Sequence, residues 1–183
     1  MKRYILLTLT ALVLHTGTLF AQSAQPREKS EVEVFLQQVA KAVAKSNEID
    51  YAYISTSMFK QLLSQFLTMV NDSIEIHDQV EQIFGSAMYM RRFISTGIEG
   101  YKVLEVAMHP FWGFLEEKEE VMGMELCALN RENGVVSIIY GNSDSVLVIN
   151  NNSNALNYNI VFVAGLSYDA FMKMSEKGMD LGF

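Results

Sequence analysis

Cysteine and proline are scarce in this chain, which contains one cysteine, Cys127, and two prolines in 183 residues. A lone cysteine excludes an intramolecular disulfide, so stability has to come from the packed core. A single domain of about this size buries roughly 70% of the surface that its unfolded chain exposes, and it can fold without a disulfide. Because Cys127 stands between apolar neighbours in a strand-like run, we expect a small buried side chain rather than a reactive thiol.

Positive charge is also scarce, with 14 Lys and Arg against 21 Asp and Glu and a net charge of −7. Nucleic-acid binding depends on clustered basic side chains facing phosphates, so nucleic acid is a disfavoured partner. The same acidity disfavours a general attraction to anionic lipid surfaces.

The first 21 residues carry Lys2 and Arg3, then an apolar run from Ile5 to Leu14, then Ala21 before Gln22. This order predicts a secretory signal peptide over residues 1–21, because the run is shorter than the ~20 residues that span a bilayer. We predict a flexible leader at 22–29 and a single domain at 30–183. No cysteine lies near the predicted cleavage site, so a lipid anchor attached to a cysteine is not expected. We expect the mature protein to be soluble, periplasmic or otherwise exported, and without a transmembrane anchor.

The region from Val121 to Gly165 has the pattern of an antiparallel meander. Short β-branched and aromatic runs alternate there with clusters of Asn, Gly, Ser and Asp. The runs that we interpret as strands are Val121–Leu129, Val135–Tyr140, Ser145–Ile149 and Tyr158–Ala164, and two earlier ones are Ile49–Thr56 and Met88–Ser95.

Helical patterns precede and follow this sheet. Ser30 and Glu33 form a capping box before apolar residues at helical spacing, and a later helix is predicted to run from after Gly97 to about Met108, before Pro110. The last helix is predicted after Ser167. The predicted fold class is therefore α+β, an antiparallel sheet with helices packed mainly on one face.

The most aromatic segment contains Phe111, Trp112 and Phe114, directly after the predicted helix. One interpretation is a kinked helix that covers the sheet, because most aromatic side chains are buried. The other is an exposed patch that binds a partner protein, because Trp and Phe at a kink are poor choices for a solvent-facing surface.

Residues with catalytic or metal-binding chemistry show no recognised spacing. His77 lies near Glu75 and Asp78, but three or four converging ligands would be needed for a zinc or iron site. Ser167 follows one glycine of a nucleophile elbow and lacks the second. We therefore predict no catalytic residues, no metal and no cofactor, and whether the protein is an enzyme stays open.

Several segments together resemble a known family. The order is a signal peptide, a capped helix, the Tyr51–Phe59 segment, the strand end Phe93–Thr96, and strands from Val135 to Val163 before Ala164 and Gly165. This order is similar to the domain-of-unknown-function 4252 family, small exported proteins of the Bacteroides group of bacteria. The resemblance covers almost the whole mature chain and implies an envelope or periplasmic location, with no established activity.

That resemblance also draws attention to Ser73 and Ser145. Each lies in an Asp-Ser-apolar sequence of the kind that such bacteria O-glycosylate, and each can equally be an ordinary turn residue.

The sequence leaves three functions open. The third, a hydrolase, would need a pocket where Ser, His and acidic side chains meet, and the other two are binding functions. The first is a non-enzymatic module that binds another envelope protein. The alternative is a periplasmic module that binds a small apolar or lipid ligand between the sheet and the helices.

Overall fold

A computed structural model describes residues 29–58, 61, 89–111 and 118–176, with side chains to residue 173. The predicted signal peptide, most of the leader, and the sequences around Ser73, His77, Trp112 and Phe114 lie outside the described residues. The helices and strands with defined bounds are α1 (Glu31–Val43), β1 (Ile49–Ser55), β2 (Tyr89–Ser95), α2 (Ile98–Ala107), β3 (Glu120–Val121), β4 (Met124–Glu132), β5 (Val135–Gly141), β6 (Ser145–Asn152), β7 (Asn157–Ala164) and α3 (Tyr168–Glu176). Residues 56–58 and 61 are also helical.

The described strands form one seven-stranded antiparallel sheet in the order β1-β2-β7-β6-β5-β4-β3. The C-terminal meander supplies five of these strands. The β1–β2 pair joins it through β7, so the first strands of the domain lie beside the last. The α+β fold class and the meander predicted from the sequence are both confirmed.

The two faces of the sheet pack against different helices. Face A contains Phe93, Ile160 and Ile149, which lie side by side on three neighbouring strands. The core on this face includes residues of α1 and α2, whereas α3 packs against face B. The described helices thus lie mainly on face A, as predicted, with α3 on the opposite side.

Helix α1 begins with the predicted capping box. The Ser30 hydroxyl accepts from the backbone amide of Glu33 at 3.4 Å, and the Glu33 carboxylate accepts from the amide of Ser30 at 2.6 Å. The apolar stripe behind it is buried, with Val32 and Leu36 inaccessible to solvent. The helix ends at Val43, earlier than the predicted end near Ser46.

The strand predicted over Val121–Leu129 is instead a hairpin. Met122 and Gly123 have φ angles of 52° and 72°, so they form a two-residue turn between β3 and β4. The register of β4 then shifts between Leu126 and Ala128 at a bulge. Ala128 therefore pairs with Ile139, on the opposite face of the sheet from Met124.

Candidate functional site

The aromatic segment predicted as a partner-binding patch is only partly described. Phe111 is inaccessible to solvent, and its ring lies 5.5 Å from the rings of Phe35 and Tyr140. The Tyr140 hydroxyl lies 2.8 Å from the Phe111 carbonyl oxygen. Phe111 therefore belongs to the core rather than to an exposed patch, because the first turn after α2 covers face A. Trp112 and Phe114 lie outside the described residues.

Ser145, one of the two predicted glycosylation residues, begins β6 and is 2% exposed. Its hydroxyl and its backbone amide both lie within hydrogen-bond distance of Asn142 Oδ1, at 3.1 and 2.8 Å. Asn142 thus closes the turn before β6, and the Ser145 hydroxyl is occupied inside it. This geometry is that of the ordinary turn, with the Ser145 side chain buried in the folded protein, and glycosylation at Ser145 stays a prediction. Ser73 lies outside the described residues.

The alternation of β1 and β2 brings a different set of side chains together. Tyr53 lies directly opposite Arg91, and Ser55 directly opposite Tyr89. Because successive side chains point to opposite faces, Tyr51, Tyr53, Tyr89 and Arg91 all lie on face A, while Arg92 lies on face B. We name the four face A residues the tyrosine–arginine cluster.

Arg91 holds this cluster together. Its guanidinium carbon lies 5.0 Å from the centroid of the Tyr53 ring and 5.4 Å from that of Tyr89, within cation–π range. Its Nη1 donates a hydrogen bond to the Tyr51 hydroxyl. The Tyr53 and Tyr89 rings are themselves 5.4 Å apart. The arginine thus contacts all three tyrosines.

Helix α1 fixes the inner side of the cluster. The Tyr89 hydroxyl donates to Glu33 Oε1 at 2.8 Å, and Glu33 is the capping-box carboxylate, 3% exposed. Burial, and then the hydrogen bond with Glu33, raise the pKa of Tyr89 far above its usual value. Burial also raises the pKa of Tyr51, and the positive charge of Arg91 offsets only part of that rise. Both phenols are therefore neutral hydrogen-bonding groups at physiological pH.

The outer side of the cluster faces solvent. Tyr51 is 37% and Tyr53 47% exposed, a large accessible fraction for aromatic side chains on a strand. Among the described residues, Arg91 has no carboxylate in a salt bridge, and its buried Nε has no hydrogen-bond partner. Exposed tyrosines around an arginine have the composition of the energetically dominant residues in protein interfaces.

The sequence contained part of the signal for this cluster. The spacing of Tyr51 and Tyr53 places them on one face of β1, but the pairing that sets Arg91 between them depends on the register of two strands 34 residues apart, since Ser55 pairs with Tyr89. Periodicity within each strand determines which residues share a face, but it does not distinguish registers that differ by two residues.

The rest of the described chain offers no competing metal or membrane feature. In residues 29–58, 61, 89–111 and 118–176, no group of three or more His, Cys, Asp or Glu side chains could hold a metal ion. No helix in that part of the chain is both long and apolar enough to cross a bilayer. Comparisons with protein-family models, with curated proteins and with solved structures found no match.

Proposed function

We propose that this protein is a non-enzymatic module of the cell envelope that binds another protein through the tyrosine–arginine cluster. The observation that carries the proposal is the exposure of Tyr51 and Tyr53 beside a guanidinium that already contacts both. The exported location rests on the N-terminal signal pattern and on the family resemblance. The partner surface differs from the aromatic segment that the sequence suggested.

Preorganisation of the cluster supports this function. Ordering a side chain on binding costs free energy, and rigid aromatic residues lose less than flexible ones. Here Arg91 is restrained by two rings and by the Tyr51 hydroxyl, and Tyr89 is restrained by Glu33. A partner would therefore contact a surface that is already arranged. A guanidinium without a carboxylate partner in the described residues would favour a partner that presents an acidic group.

The packing of face A favours protein binding over a lipid or small apolar ligand between sheet and helices. Such a ligand needs a cavity lined by apolar side chains. Leu36 and Leu104 from the two helices, and Phe93, Leu147 and Ile160 from the sheet, are all inaccessible to solvent and pack in one cluster. Side chains of the protein itself thus occupy the space between these elements.

The test is quantitative crosslinking in the native host, comparing the wild-type protein with the Tyr51→Ala/Tyr53→Ala double variant. Loss of two central anchors is expected to lower recovery of a specific partner by about tenfold or more. Val106→Ala is the matched control, because Val106 is 74% exposed on α2 and lies outside the cluster. Its crosslinking should equal that of wild type.

Thermal unfolding of each variant separates loss of binding from loss of folding. Tyr51→Phe and Tyr53→Phe keep the rings and should retain most of the partner recovery if the rings carry the binding. Equal recovery with the wild-type protein and with a folded double alanine variant would contradict the proposal. Recovery of no specific partner by the wild-type protein would contradict it as well.

A further inference from the structure

Strand β1 forms one edge of the sheet. Among the described strands it pairs only with β2, and no backbone hydrogen bond joins Ile49–Ser55 to another described segment. Asp50, Tyr51 and Tyr53 are exposed, whereas no residue of the inner strand β2 is. An edge strand leaves the outward N–H and C=O groups of alternate residues without a neighbouring strand.

The register of β1 and β2 determines which backbone groups point outward. In an antiparallel pair, residues that exchange two hydrogen bonds alternate with residues that exchange none. The Thr96 amide donates to the Glu48 carbonyl at 2.8 Å, and the register continues from there without a bulge. The even-numbered residues of β1 therefore turn their backbone groups toward β2. Tyr51 and Tyr53, which are odd-numbered, turn theirs toward the open edge.

The open edge and the tyrosine–arginine cluster share these two residues. The side chains of Tyr51 and Tyr53 lie on face A, where both contact Arg91. A strand placed along β1 would hydrogen-bond to the backbone of the two tyrosines. Its alternate side chains would at the same time lie beside their rings. The backbone edge and the cluster thus form one surface.

We propose that the partner adds an extended acidic segment to the sheet, as a further strand along β1 with a carboxylate that reaches Arg91 on face A. This inference rests on the proposed function, because it specifies how the cluster contacts its partner. Among the described residues, Arg91 has no carboxylate in a salt bridge, so the added strand would supply one. Asp50 is exposed on face B, where it would repel an acidic side chain. The segment therefore alternates acidic and neutral residues.

Strand β1 lacks the features that protect edge strands from pairing. Natural edge strands are often very short, bulged, or interrupted by Lys or Pro. Strand β1 has seven residues, no Lys or Pro, and an unbroken register with β2. At the opposite edge, β3 has only two residues and β4 contains a bulge. Of the two edges, that of β1 is the better suited to strand addition.

A second copy of this chain fits the edge less well than an acidic segment does. The face A residues of β1 are Ile49, Tyr51, Tyr53 and Ser55, and none of them is acidic. Two β1 strands paired with each other would therefore bring two Arg91 side chains to the interface without supplying a carboxylate to either. Charge complementarity favours a different, acidic polypeptide.

The test is hydrogen exchange of the ¹⁵N-labelled protein, followed by NMR with a blocked heptapeptide of alternating threonine and glutamate. In the free protein, the amides of Tyr51 and Tyr53 should exchange faster than those of Ala52 and Ile54, which face β2. Saturation with the peptide should slow the two tyrosine amides by about tenfold or more. The same peptide with glutamine in place of glutamate should bind about tenfold more weakly, because it loses a charge-assisted hydrogen bond.

Tyr53→Pro and Tyr53→Ala separate the backbone contribution from that of the ring. Both variants lose the ring, but only proline loses the outward amide, and it removes no hydrogen bond to β2. Tyr53→Pro should bind the acidic peptide about fivefold more weakly than Tyr53→Ala. Thermal unfolding establishes that each variant is folded, and Tyr51→Pro against Tyr51→Ala repeats the comparison. Val106→Ala, at an exposed position of α2, should bind as the wild-type protein does.

Three results would overturn strand addition: unchanged exchange of both tyrosine amides, equal binding of the two peptides, or equal binding by the folded proline and alanine variants. Protection that appears without peptide and rises with protein concentration would assign the edge to a second copy and overturn it as well. Crosslinking judges the proposed function separately. If the partner is lost with Tyr51→Ala/Tyr53→Ala but recovered equally with Tyr53→Pro and Tyr53→Ala, the function stands and strand addition fails.

Discussion

The side-chain carboxylate of Glu48 accepts a hydrogen bond from the backbone amide of Gly100 at 3.2 Å and one from that of Glu99 at 2.9 Å. Backbone amides in the first turn of a helix have no acceptor within the helix. In α2, the N-cap residue Gly97 has no side chain that could accept from them. A residue that precedes β1 therefore caps a helix that follows β2. The backbone adds a further link, since the Thr96 amide donates to the Glu48 carbonyl at 2.8 Å.

Replacement of Glu48 by Ala is expected to lower the free energy of unfolding by about 1–2 kcal/mol, because two helix amides lose their acceptor and the helix dipole loses a negative charge. Glu48→Gln keeps an acceptor oxygen and should cost less. Urea denaturation measures both. Lys45→Ala is the control at an exposed position nearby, and a Glu48→Ala loss no larger than that of Lys45→Ala would contradict the capping role.

Gly100→Ala tests the contact from the helix side. At a helical position, alanine is normally favoured over glycine by about 1 kcal/mol. Here a Cβ on Gly100 would lie 2.0 Å from the Glu48 carbonyl oxygen, a backbone atom that cannot move alone. We therefore expect lower stability in urea denaturation. Val103→Ala, at an exposed position of α2, should be near neutral, and a stabilised Gly100→Ala protein would contradict the close approach.

This contact shows where sequence reasoning ends. The capping box of Ser30 and Glu33 was predictable because its atoms are three residues apart. Glu48 and Gly100 are 52 residues apart, and no local pattern links them. The split of the first meander strand was missed for another reason. Met122 takes a positive φ, a conformation that local propensity assigns to Gly or Asn rather than to Met.

The candidate surfaces show the same difference between local patterns, which the sequence reveals, and pairings between distant strands, which it does not. Alternation along β2 is enough to place Arg91 and Arg92 on opposite faces. Only the register between strands brings Arg91 to Tyr53. The strand predicted over Ser145–Ile149 continues to Asn152, although asparagine is disfavoured in strands. The pairing of β6 with both neighbours overrides that weak propensity.

Two buried tyrosines should respond differently to loss of the hydroxyl. Tyr101 donates to Asn151 Oδ1 at 2.9 Å, and Asn151 is 3% exposed. The buried Tyr158 hydroxyl has no hydrogen-bond partner within the described part of the chain. Tyr101→Phe should therefore cost about 1–3 kcal/mol by leaving Asn151 unsatisfied, and Tyr158→Phe should be close to neutral or stabilising. Urea denaturation at pH 7 compares them, and an equal loss in both variants would contradict this assignment.

Stability is expected to fall at alkaline pH, with Tyr158 as one cause. Burial raises the pKa of Tyr158 in the folded protein far above the value of about 10 in the unfolded chain. Below pH ~10 the phenol is protonated in both states, so stability does not depend on it. Above that pH the unfolded chain releases the proton while the folded protein retains it, and unfolding becomes more favourable by up to about 1.4 kcal/mol per pH unit for each such tyrosine.

Tyr158→Phe removes this one titration and leaves the others unchanged. The variant should therefore lose less stability than the wild-type protein between pH 8 and pH ~11, where the unfolded phenol ionises. Urea denaturation at several pH values in that range gives the difference directly. Lysine titration affects both proteins equally and cancels in the comparison. Parallel stability curves for the two proteins would show that Tyr158 ionises as readily in the folded state as in the unfolded one. Only a raised folded-state pKa makes the wild-type protein lose stability faster than the variant as the pH rises, so that the two curves separate.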